Sequence, residues 1–121
     1  GNGMKKRVLS FEEFNQLLRR WSGKRIKVVK HEMSNLDEAL INLGDVSHMK
    51  KPESLDGYGS RHALHLNGTG MIETDMNKYE ELPANVFEIP LEEDALYEFD
   101  GTRFILSTSR GVYTMELLED R

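Results

Sequence analysis

The clearest pattern along the chain is an apolar stripe at helical spacing near its start. Phe11, Phe14, Leu17, Leu18 and Trp21 recur every three to four positions, which places them on one helix face. Ser10 stands where an N-cap belongs, and Glu13 three residues on completes a capping box. Leu9 before the cap and Phe14 inside the helix fit a hydrophobic staple. Gly23, just past the last apolar residue, supplies a left-handed stop. Arg19 and Arg20 in the last turn suit the helix dipole.

After Gly23 the period shortens to that of strands. Arg25–His31 reads as a strand, with Ile26 and Val28 on one face and Lys27 pointing the other way. Asp37–Val46 fits a strand with a bulge at Gly44 better than a short helix. His62–Leu66 and Met71–Asp75 flank Asn67-Gly68-Thr69-Gly70, which predicts a hairpin. Val86–Ile89, followed by Pro90, predicts a short or edge strand. Leu96–Phe99 and Arg103–Leu106 are joined by Asp100-Gly101-Thr102, a favoured hairpin turn. Ser109-Arg110-Gly111 then turns into Val112–Leu117.

Together these elements predict an α+β fold. One N-terminal amphipathic helix packs on a strongly bent, mostly antiparallel sheet or small β-barrel of about six strands. The polar stretch Ser47–Ser60 predicts a long loop, either a surface excursion or a lid.

Length and composition add bounds. A chain of 121 residues predicts a single domain, 4–121, with Gly1–Gly3 an artificial leader ahead of Met4. The absence of cysteine removes disulfides and thiolate chemistry, and fits a reducing cytoplasm. No apolar run is long enough for a membrane span.

Charge changes the picture more. Up to Lys30 there are nine basic residues and only two acidic ones, Glu12 and Glu13. The remaining seven basic residues face nineteen acidic ones. Such polarity either neutralises itself on folding or presents a basic face to an anionic partner. Arg19, Arg20, Lys24, Arg25 and Lys27 are the candidates for anion or nucleic-acid contact. The net charge of −5 favours neutralisation over nucleic-acid binding.

Other chemistry is thin. His62 and His65 are three apart, which on a strand sends them to opposite faces, so no metal site is expected there. His31 and His48 are the other imidazoles. Glu73, Asp75, Glu80, Glu81, Glu88, Glu92, Glu93 and Asp94 read as a solvated acidic face. Neither Gly57-Tyr58-Gly59 nor Gly68-Thr69-Gly70 opens into a helix, so no phosphate cradle is expected and no cofactor is assigned. If the loop is a lid, His48, Tyr58, His62 and His65 are its ligand-contacting candidates.

The helix ending in Gly23, the strand after it and the run Asn42-Leu43-Gly44-Asp45-Val46 resemble part of an Sm-like RNA-binding barrel. The offset from Asp37 to Asn42 and the missing second motif depart from that pattern, so no family is assigned on it. The expectation is a cytoplasmic, non-enzymatic interaction module that self-associates or binds a protein partner, with no membrane contact. A single-stranded nucleic-acid binder and a small-molecule barrel or enzyme are the alternatives.

Overall fold

The computed structural model describes residues 6–50, 62–73 and 78–118. The chain runs β1 (Arg7–Leu9), α1 (Phe11–Arg19), β2 (Arg25–Glu32), β3 (Asn35–Lys50), β4 (His62–Glu73) and β5 (Tyr79–Glu81). A 3-10 turn (Pro83–Asn85) leads into β6 (Val86–Leu91), β7 (Leu96–Phe99), β8 (Arg103–Ser107) and β9 (Val112–Leu117). Every strand pairing is antiparallel.

Helix α1 forms for the reasons its sequence predicts. The Ser10 Oγ accepts the Glu13 N–H at 3.1 Å, and the Glu13 carboxylate accepts the Ser10 N–H at 2.9 Å. Its stop differs in detail: Arg20 caps the helix in right-handed conformation, and Gly23, at φ +87°, follows one tight turn later. Phe14 and Leu18 are fully buried, the Phe14 ring lying 5.1 Å from Tyr97 and 5.4 Å from Phe104. Aromatic pairs at these separations add stabilisation beyond burial alone. Among the described residues no helix is long and apolar enough to cross a membrane.

The sheet has nine strands among the described residues, not six, and it does not close into a barrel. Its order is β1-β7-β8-β9-β2-β3-β4-β5, with β6 pairing β4 beside β5. β1 and β5 are three residues each, too short to show a period in sequence. β4 accounts for the largest difference. The predicted hairpin at Asn67–Gly70 is absent; residues 62–73 form one continuous strand. It pairs β6 through His62–Asn67 and β5 through Met71–Glu73, with β3 along the other edge. Its glycines serve close backbone approach, not a turn. A Cβ on Gly68 would collide with the Asn42 carbonyl oxygen, and one on Gly70 with that of Leu40.

β3 spans 16 residues and carries the bulge between Leu43 and Asp45. The extra residue reverses which side chains face inward. Before it Ala39, Ile41 and Leu43 are buried; after it Val46 is buried. The long strand thereby bends and serves the core on both sides of the bulge. Ser47–Lys50, expected in a loop, is the end of this strand, while 51–60 lies outside the described residues.

Candidate functional site

Three places on this frame bring polar side chains together. The first is a groove of about 410 Å³, lined by Lys30, Asp37, Ile72, Glu73, Val86, Phe87, Glu88 and Tyr113. Register explains its floor: Lys30 of β2 stands opposite Asp37 of β3 on one side and Tyr113 of β9 on the other. Lys30 continues the inward row of Ile26 and Val28, so its stem leaves the core and its ammonium reaches the opening. The Nζ lies 3.0 Å from the Glu32 carboxylate and 5.9 Å from the centre of the Tyr113 ring.

The electrostatics of the groove keep its central lysine and tyrosine in their ordinary protonation states. The hydrogen bond to Glu32 pushes the Lys30 pKa up, helped by the charges around it, so the amine stays protonated. Burial pushes the Tyr113 hydroxyl up, so it stays neutral. A protonated lysine is no nucleophile, and a phenol held above its ordinary value is a poor base. The apolar contribution comes from Ile72, Val86, Phe87 and the Tyr113 ring. Sequence reasoning passed over this site. The available signal was Lys30 itself, an ionisable residue in phase with buried Ile26 and Val28.

The second place pairs two histidines. His48 Nε2 lies 3.2 Å from His62 Nδ1, with the rings stacked at 5.2 Å. Phe11 of the helix packs on His48 at 4.6 Å. Burial, followed by the neighbouring His62 and Lys50, lowers the His48 pKa. The pair opens into a cavity of about 300 Å³ that Glu12, Glu92 and Glu93 also line. His65 lies on the other face of β4 and contacts the Glu88 carboxylate at 3.1 Å. Tyr58 lies outside the described residues, so the expected quartet of loop residues is not one cluster: His48 belongs to β3, and His62 and His65 to β4.

The third place is the basic end. Lys27 Nζ sits 3.3 Å from Glu116, directly opposite on β9, and 3.9 Å from Glu38, diagonal to it on β3. Arg19 Nε donates to the Val46 carbonyl at 3.2 Å. Arg25 Nε faces the Asn42 side chain at 3.5 Å, and Asn42 in turn donates to Thr69. Arg20 and Lys24 are exposed and make no ion pair among the described residues. The five basic residues therefore divide: one is neutralised by the later, acidic part of the chain, two have polar partners and two face solvent.

No three metal-ligating side chains converge among the described residues. No curated protein and no solved structure matches the chain. The sequence profile of YmzB-like proteins matches residues 7–120, nearly the whole chain. The chain belongs to the YmzB-like family.

Proposed function

We propose that the protein is a non-enzymatic binding module that takes an extended segment of a protein partner along the free edge of β6. The observation that carries this is a juxtaposition. β6 pairs only with β4 among the described residues, and Val86, Phe87 and Glu88 of that strand line the groove. A segment adding to this edge gains main-chain hydrogen bonds, and its alternate side chains fall beside the groove. Asp37 and Glu73 line the groove, whose own cation Lys30 is held by Glu32. The charge favours a segment with an apolar residue near a Lys or Arg.

Selection of a random peptide library on the purified protein tests the reading. Enrichment of alternating apolar sequences carrying a basic residue is expected. Phe87→Ala removes the apolar contact, and Asp37→Lys reverses the charge at a partly exposed position where folding is less at stake. Each is expected to weaken selected peptides by tenfold or more. No enrichment, or binding indifferent to both changes, refutes the module. Light scattering of the free protein separates a foreign partner from a second copy of the chain.

A second reading, binding of single-stranded nucleic acid, is favoured by exposed Arg20 and Lys24 beside Arg25. It loses Lys27 to Glu38 and Glu116. Fluorescence anisotropy at roughly 50 and 200 mM salt decides it, since phosphate contacts weaken steeply over that range. Absence of binding to RNA and DNA at the lower salt removes this reading.

A further inference from the structure

We infer that His48 and His62 form a binding site for a divalent transition-metal ion of the zinc, nickel or copper class. The argument starts from a distance. Metal–imidazole bonds are about 2.0–2.1 Å long, and a tetrahedral angle between two of them separates the nitrogens by about 3.3–3.4 Å. His48 Nε2 and His62 Nδ1 are already 3.2 Å apart. Two imidazoles at that separation either share a proton or share a cation. A shared cation requires both lone pairs to aim at one point, so at least one ring must turn about its Cβ–Cγ bond.

Three features make the cation the better occupant. The two rings come from adjacent strands whose pairing continues to Lys50 and His62, so backbone hydrogen bonding holds their spacing. Phe11 braces the His48 ring from the helix side. The cavity in front of the pair has room for water ligands, and its other lining residues include the carboxylates Glu12, Glu92 and Glu93. Nitrogen ligands with carboxylate or water completing the shell suit zinc, nickel and copper over magnesium or calcium. No third side chain is already converged among the described residues, so water completes the shell and the ion remains exchangeable. This site is separate from the β6 groove and stands on different residues.

Cobalt(II) titration of the full chain is the test, because its visible bands report coordination directly. A saturable signal at one equivalent, displaced by zinc, is expected. His48→Ala, at an exposed position, and His62→Ala are each expected to weaken it tenfold or more. His31→Ala and His65→Ala are expected to leave it unchanged. The inference fails if no saturable band develops up to millimolar cobalt, or if binding survives His48→Ala. It fails equally if His65→Ala does the same damage. Retention of the wild-type urea midpoint in His48→Ala shows that any loss belongs to the site and not to unfolding.

Discussion

Replacing Gly68 by alanine is expected to cost about 2–5 kcal/mol of folding stability. The magnitude follows from the crossing of β3 and β4. A Cβ at this position would collide with the Asn42 carbonyl oxygen and lie 3.0 Å from the Asn42 carbon and 3.1 Å from the Gly44 nitrogen. All three atoms are backbone, so no side chain can rotate away. The strands must part where the bulge already interrupts their ladder. Overpacking of this kind costs about 1–3 kcal/mol. One or two strained backbone hydrogen bonds add roughly 1 kcal/mol each. Gly44 provides the control, since its Cβ would meet only the Asn67 oxygen at 3.4 Å, an ordinary contact. Equilibrium urea denaturation of the two variants measures the difference, provided their m-values agree. If Gly68→Ala stays within about 1 kcal/mol of the parent, the close-approach argument is wrong.

Three further outcomes are expected. Ser10→Ala removes half of the capping box and should lower stability by about 1 kcal/mol in the same urea assay; an unchanged midpoint would contradict the role given to the cap. Asp100 accepts the N–H groups of Thr102 and Arg103, which hold its carboxyl down at about 2. Because the folded value lies below the unfolded one, its stabilisation is complete above the ordinary carboxylate range and is lost as pH falls towards 2. The stability gap between the parent and Asp100→Ala should therefore be constant above about pH 5 and shrink on acidification; a gap that persists near pH 2 refutes this. Lys27→Met removes a partly exposed cation between Glu38 and Glu116 and should change stability by less than about 1 kcal/mol, with the difference shrinking in high salt. A much larger, salt-independent loss would mean that packing of the lysine stem dominates.

The helix was legible because several local signals agree: a cap, its reciprocal glutamate and an apolar stripe. The last three strands were legible for a similar reason, since their turns are short and their apolar residues alternate. β4 was misread because Asn-Gly-Thr-Gly carries two meanings. Glycine permits a turn, and it equally permits two backbones to approach, and only the partner strand decides between them. The bulge at Gly44 was readable, yet its consequence was not. It shifts the inward phase from odd to even positions along β3, which brings His48 beside His62. Counting residues within one strand could pair His62 only with His65, which faces the opposite way. The groove escaped notice because Lys30 was grouped with the other basic residues by sequence and not by phase. Its partners Asp37, Phe87 and Tyr113 come from three other strands.

The position of β9 bears on how the chain is made. β9 sits between β8 and β2, in the middle of the sheet. Among the described residues, and before Val112–Leu117 has been synthesised, the ribbon of β1, β7 and β8 has no backbone hydrogen bond to the ribbon of β2, β3 and β4. During vectorial synthesis the two ribbons wait with open inner edges, joined by the chain segments between them and by side chains such as those of α1. Folding is then completed late, by a strand that enters from the side and zips both ribbons together. A nascent chain arrested before Val112 should remain sensitive to protease, and one extended past Leu117 should become resistant in a single step.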